Sequence, residues 1–193
     1  MKPTAVIISA LLLTQISAQP AIALTIQPRL QIAQSSLTAT DYIKLGDTKS
    51  KAGDLPSAIR DYDRAIALEP QNVEAYISRG AAKSESGDKQ GGLQDYDKAI
   101  DLQPTIAEFY SLRGITQYEL GDKKAAIQDY DKAIELKPTI ALAYFARSVA
   151  KYELNDKESA IQDANKAAEL YKQQGNTEFY QKAMDFLKAL GKT

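Results

Sequence analysis

Carboxylates are the side chains with the most chemistry to offer in this sequence. Its 193 residues include 25 Asp and Glu but no His and no Cys. Without Cys there is no thiolate nucleophile, no disulfide and no thiolate metal ligand. Without His the commonest general base and the commonest neutral metal ligand are missing as well. What remains is carboxylate catalysis of the glycosidase kind, which needs two carboxyl groups about 5–10 Å apart in a pocket. These carboxylates instead recur at a fixed interval. Glu85, Glu119 and Glu153 stand 34 residues apart, and so do Asp61, Asp95, Asp129 and Asp163. Groups one such repeat apart are too distant to share a cation at the ~2.3–2.6 Å that calcium needs. The sequence therefore names no catalytic residue, no metal ligand and no cofactor. A carboxylate-based hydrolase is the weakest reading.

The interval belongs to the whole chain. DYDRAIALEP (61–70), DYDKAIDLQP (95–104) and DYDKAIELKP (129–138) repeat one phrase, and DANKAAELYK (163–172) is a weaker copy. AYISRG (75–80), FYSLRG (109–114) and AYFARS (143–148) repeat another, with DYIKLG (41–46) an earlier relative. Setting each proline at position 32 gives units 39–72, 73–106, 107–140 and 141–174, and leaves 175–193 over. Apolar residues three and four apart in each half predict two amphipathic helices per unit, A and B. Gly53, Gly87, Gly121 and Asn155 suit a left-handed C-terminal cap on helix A. Asp54, Asp88, Asp122 and Asp156 follow, each placed to cap helix B. Pro70, Pro104 and Pro138 end helix B in the first three units. Thr105 with Glu108, and Thr38 with Asp41, have capping-box spacing at the start of helix A.

Small residues recur where helices must touch: Gly46, Gly80, Gly114 and Ser148 at position 8, Ala58, Gly92, Ala126 and Ala160 at position 20, and Ala65, Ala99, Ala133 and Ala167 at position 27. Small against small brings A and B close. Tyrosines at position 4 (Tyr42, Tyr76, Tyr110, Tyr144) and position 24 (Tyr62, Tyr96, Tyr130) fill the hollows between hairpins as core. Position 7 is Arg79, Arg113 and Arg147, but Leu45 in the first unit, which has no unit before it. That points to pairing across the interface, Arg79 with Asp61, Arg113 with Asp95 and Arg147 with Asp129. Pairing within a unit, as Arg79 with Asp95, is the competing register.

Over 39–174 the sequence resembles the tetratricopeptide (TPR) family. The resemblance rests on the aromatics at positions 4 and 24, the glycines at 8 and 15, the alanines at 20 and 27 and the proline at 32. It implies an all-α fold, a right-handed α-solenoid (superhelix) of antiparallel helix hairpins, with the A helices lining a concave face that holds a peptide or helix of a partner. Arginine at position 7, where the family usually has leucine, is a departure. So is the fourth unit, with Ser148, Asn155 and Ala164. The resemblance also places positions 2, 5, 9, 12 and 13 on the concave face. The groove is then polar at its N-terminal end, with Ile77 and Glu85 in the second unit. It becomes apolar and aromatic through Ile115, Tyr118, Leu142, Phe145, Val149 and Tyr152, and Glu85, Glu119 and Glu153 run along one edge. These ten residues are the candidate partner-binding set. The family's carboxylate clamp is absent, since Ile43, Asp47, Ser78, Glu108 and Leu112 stand at its places.

The two ends read differently. Lys2, the apolar run Ala5 to Leu13 and Ala21-Ile22-Ala23 have the order of a Sec-type signal peptide over 1–23. The run falls well short of the ~20 apolar residues of a membrane span. The expected mature chain begins at Leu24, carries no integral membrane segment, and acts in the periplasm, a lumen or the extracellular space. Residues 24–38, rich in Gln and Ser, read as a flexible leader. Residues 175–193 hold one amphipathic helix through Phe179, Ala183, Phe186, Leu187 and Leu190, expected to cap the fourth hairpin. Leu142, Phe145 and Val149 are then either partly covered by it or exposed as an apolar interaction patch. With a formal net charge of −1 the chain lacks the basic footprint that nucleic acid needs. The leading reading is an exported, non-enzymatic adaptor, scaffold or assembly factor that binds another protein, with a basic-apolar segment favoured by the glutamate row. A self-associating structural protein, a homo-oligomer, is the alternative.

Overall fold

A computed structural model describes residues 37–191, and over them the protein is entirely helical. The elements are α1 (Ala39–Lys51), α2 (Leu55–Leu68), α3 (Val73–Glu85), α4 (Lys89–Leu102), α5 (Ala107–Glu119), α6 (Lys123–Leu136), α7 (Ala141–Glu153), α8 (Lys157–Gln173) and α9 (Thr177–Ala189). They pair as four antiparallel hairpins plus α9. Each odd-numbered A helix packs on its own B helix and on the B helix before it, and successive A helices also touch. Holding the A helices together curves the stack with the A side innermost, so the hairpins build the right-handed α-solenoid expected from the sequence. The signal-peptide reading of 1–23 and nearly all of the 24–38 leader lie outside the described residues.

Local chemistry sets the element bounds. Gly53, Gly87, Gly121 and Asn155 hold φ of 80°, 99°, 91° and 65°, the left-handed turn that ends each A helix. The next residue restarts the chain: the carboxylates of Asp54, Asp88, Asp122 and Asp156 accept from the backbone N–H groups of Ser57, Gly91, Ala125 and Ser159 at 2.9–3.2 Å. Helices α2, α4 and α6 each run 14 residues and stop just before a proline. The fourth unit has Lys172 instead, and α8 runs on to 17 residues. The capping box at Thr105 does not form. Helix α5 is preceded by Ile106 with no side-chain cap, and Glu108 pairs with Lys137 at 2.6 Å instead.

The A–B crossing combines two kinds of contact. A Cβ built on Gly80 would sit 2.9 Å from the Tyr96 ring, and one on Gly114 would sit 2.8 Å from the Tyr130 ring. Small against large is therefore the main contact at position 8, where the sequence suggested small against small. The small pair does meet lower down, where a Cβ on Gly92 would be 2.8 Å from the Gly80 carbonyl. In the fourth unit both members of the first contact change together, to Ser148 and Ala164, each fully buried.

Helix α9 is a fifth A helix, which the sequence analysis missed. Glu178-Phe179-Tyr180 and Leu190-Gly191 repeat Glu108-Phe109-Tyr110 and Leu120-Gly121 at the same separation. It has the 13 residues of every other A helix, and Gly191 holds the matching left-handed φ of 76°. Met184 stands where the glycine belongs. That is tolerable because no B helix packs there among the described residues.

Candidate functional site

The arginine row organises the stack before any groove can exist. The Arg79 guanidinium donates to both Asp95 carboxylate oxygens, at 2.9 and 2.6 Å, and to Asp63 at 2.6 Å. Arg113 binds Asp129 and Asp97 in the same way, and Arg147 binds Asp163 and Asp131. The position-23 aspartates are thus held within the unit, which overturns the proposed pairs Arg79–Asp61, Arg113–Asp95 and Arg147–Asp129. The bond across the interface is real but goes two residues further along helix B, to a more exposed aspartate. Each guanidinium also lies over the tyrosine three residues before it, at 5.5–5.6 Å. One planar, always-charged fork thereby joins two hairpins and fixes their relative angle. In the first unit, where Leu45 replaces arginine, Arg64 reaches over Tyr42 and to Asp61 from the B helix.

On the A-helix side the structure gathers six of the ten candidate residues at one place. Ile115, Tyr118 and Glu119 of α5 and Leu142, Phe145 and Val149 of α7 line a cleft of about 260 Å³. Ile77 lies apart, in a cleft of about 830 Å³ with Phe109 and the loop before α3. Tyr152 is 44% exposed, and its ring meets Phe186 of α9 edge-on at 5.9 Å. Phe186 also meets Phe145 at 6.0 Å. Helix α9 therefore closes the C-terminal end of the aromatic stretch, while Leu142, 36% exposed, stays open.

The glutamate row is largely neutralised. Glu119 pairs with Lys89 at 3.1 Å and Glu153 with Lys123 at 2.9 Å, each lysine coming from the B helix of the preceding unit. Glu153 also accepts from the Tyr118 hydroxyl at 2.7 Å. The Tyr118 and Lys123 hydrogen bonds hold the Glu153 carboxyl below its usual range. Burial, then that same carboxylate, pushes Tyr118 up to about 12. Glu85 is exposed and has no ion pair among the described residues, because the corresponding position of the first unit is Leu55 rather than lysine. The lysines were missed as partners of the row, though their 34-residue spacing was readable in the sequence.

The described residues hold no cluster of three or more His, Cys, Asp or Glu placed to bind a metal. Glu69 and Glu74 share the larger cleft, but both are exposed and lack the burial that keeps a general acid protonated. No described helix is long and apolar enough to cross a membrane.

Comparison with curated proteins gives no match. Comparison with protein families and solved structures does. Models of the tetratricopeptide repeat match 46–87, 107–140 and 141–174. The crystal structure of MamA protein is 25% identical, with 79% of this chain and 89% of that one covered at a TM-score of 0.63. The first TPR of Spaghetti (RPAP3), bound to the HSP90 peptide SRMEEVD, is 23% identical over 61% and 94% of the chains, at 0.59. Cut9 in the APC/C hetero-tetramer Cut9–Hcn1 is 19% identical over 70% and 26%, at 0.66. Arginine-joined hairpins, left-handed turns at position 15 and glycine-on-tyrosine crossings are how this sequence builds its version of the unit: the chain carries tetratricopeptide repeats.

Proposed function

We propose that the protein is an exported, non-catalytic interaction module that holds a peptide or helix of a partner protein against its A-helix face. The observation that carries this reading is the cleft between α5 and α7. There Ile115, Tyr118, Phe145 and Val149, half-buried, converge from two units with the exposed Leu142 on a partly open apolar surface. Aromatic residues in such a patch are the usual anchors of an interface, and contiguous exposed apolar surface marks an interaction site. Peptide capture is within the repertoire of the fold, as the RPAP3 repeat holds SRMEEVD. The residues here select another class of segment. No clamp for a terminal carboxylate is present, and Glu119 and Glu153 already have lysine partners. The segment that fits is apolar, and a basic residue gains only at its edge beside Glu85. Export rests on the signal-like order of residues 1–23.

The test is Tyr118→Ala, because Tyr118 lines the cleft, whereas the rings of Phe145 and Tyr152 are engaged by Phe186 of α9. The chain from Leu24 onward is used as bait on an envelope extract, with circular dichroism and the melting temperature of the variant as controls. Loss of captured partners from a folded variant is expected. Retention at wild-type levels would place binding on the convex side or on residues 24–38. N-terminal sequencing of protein recovered outside the cytoplasm should begin at Leu24, and an intact Met1 there would remove export from the reading.

A further inference from the structure

A third cleft, of about 450 Å³, opens beside the one between α5 and α7, where the loop before α7 meets the end of α8. One wall is apolar, made by Leu112, Ile140, Ala141 and Leu142 with Tyr171 of α8, and the polar lining side chains Ser111 and Gln174 already donate to the Ala107 and Thr139 carbonyls. Tyr171 is 4% exposed, and its hydroxyl is one of two buried side-chain polar atoms among the described residues without a hydrogen-bond partner. Its ring is held from behind by Phe179 of α9, at 5.4 Å. A buried hydroxyl left without a partner is a standing cost to the fold, and natural structures rarely carry one without a reason. Burial alone pushes this phenol up to about 12, so it keeps its proton at neutral pH and is a donor in want of an acceptor. The charged groups at the mouth, Glu108 and Lys137, satisfy each other at 2.6 Å. The site therefore asks for no charge.

We propose that this cleft is an anchor pocket for one aliphatic or aromatic side chain of a bound peptide, whose neighbouring amide carbonyl accepts a hydrogen bond from Tyr171. The occupant follows from the apolar wall, the mutual neutralisation of Glu108 and Lys137, and the one buried hydroxyl of the lining that has no acceptor, since Ser111 already donates to the Ala107 carbonyl at 3.3 Å. Leu142, exposed, is the lining side chain free to rotate aside as the carbonyl arrives, while the Gln174 amide, which donates to the Thr139 carbonyl at 2.9 Å, stays in place as part of the wall. Leu142 lies in both clefts, so a segment seated between α5 and α7 continues into this one. The inference rests on the groove reading for how a peptide reaches the pocket. It adds the chemistry that fixes the peptide's register.

The probes are N-acetyl-leucinamide and N-acetyl-phenylalaninamide, with N-acetylglycinamide as the control lacking a side chain. They are titrated into ¹⁵N-labelled protein and followed by amide chemical shifts. Saturable shifts at Ala141, Leu142 and Gln174 are expected with the first two and not with the third. Tyr171→Phe should weaken that binding about fivefold, the size of one lost hydrogen bond, with a melting temperature unchanged or raised. Absence of saturable shifts overturns the proposal. So does an unchanged affinity in Tyr171→Phe, or a fall in its melting temperature, which would show that the hydroxyl already serves the fold. Tyr118→Ala should bind these probes as wild type does. Loss of partner capture in that variant alone therefore reports on the groove, and loss of probe binding in Tyr171→Phe alone reports on this pocket.

Discussion

Each arginine at position 7 is held by a buried aspartate of its own B helix, yet the units are not equally provided. Asp95 and Asp163 have a second cation, Lys83 at 3.0 Å and Lys151 at 2.8 Å. The third unit has Gln117 at that position, and the Gln117 Oε1 is buried without a hydrogen-bond partner. Arg113→Ala should therefore be the costliest of the three truncations. It leaves Asp129 buried with no neighbouring cation, a change worth about 3–5 kcal/mol. Arg147→Ala keeps Lys151 and should cost less in urea unfolding. Equal losses would mean that the lysines do not share the load. Gln117→Lys restores the pattern of the other units and should raise stability by roughly 0.5–2 kcal/mol. The tyrosines set the alkaline limit. Tyr118 and Tyr171 are pushed up to about 12, chiefly by burial, whereas an unfolded tyrosine titrates near ~10. Between those values the unfolded chain releases protons first, so stability falls as pH rises through the window. The urea midpoint should drop from about pH 10 upward, less steeply in Tyr171→Phe. A flat profile would contradict the burial of these phenols.

At the scale of the element, the hairpin depends on a glycine lying against a tyrosine ring. Gly114→Ser should strain the α5–α6 crossing, since its Cβ would meet the Tyr130 ring at 2.8 Å and the Ala126 carbonyl at 3.2 Å. Tyr130→Ala should open a cavity costing about 3–5 kcal/mol. The fourth unit already carries the double change, Ser148 with Ala164. Making both substitutions in the third unit should therefore cost less than the sum of the singles by about 1 kcal/mol or more. Additive losses in a double-mutant cycle would show that the two residues do not face each other in solution. Helix α9 obeys the same rule in reverse. Relieved of a B helix, it carries Met184 at the glycine position and spends Phe186 on Phe145 and Tyr152 of the preceding unit.

For the whole molecule, the arginine ladder has ends. The first unit offers Leu45 where an arginine would reach a preceding hairpin, and at the other end α9 has Ala183 at the arginine position, beside a fourth unit whose Asn165 replaces the receiving aspartate. Copies stacked head to tail would therefore lack the bonds that join units within one chain. Light scattering on the chain from Leu24 onward should give the mass of a single copy at high concentration. A concentration-dependent rise would favour the self-associating alternative. Leu45, 41% exposed on α1, would then be the first contact to replace.

The period of the sequence determined the number of hairpins, their turns and the aspartate caps of the B helices, because a residue that must adopt positive φ or cap a helix is chosen by local backbone geometry. Helical spacing, also local, put Leu142 and Phe145 on one face of their helix, while the resemblance to the repeat family put Tyr118 of the preceding A helix beside them. Which aspartate each arginine meets was beyond it. Positions 23 and 25 of helix B differ by two residues and less than one turn, and the choice depends on the angle between hairpins. The same holds for Glu119 and Glu153, whose lysines come from the preceding unit, and for Phe186, which reaches Phe145 and Tyr152 only because α9 docks as an A helix. The unpartnered Tyr171 hydroxyl is the extreme case. A tyrosine on the inner face of an amphipathic helix is ordinary in sequence, and only the packed neighbours reveal that nothing answers its hydrogen bond.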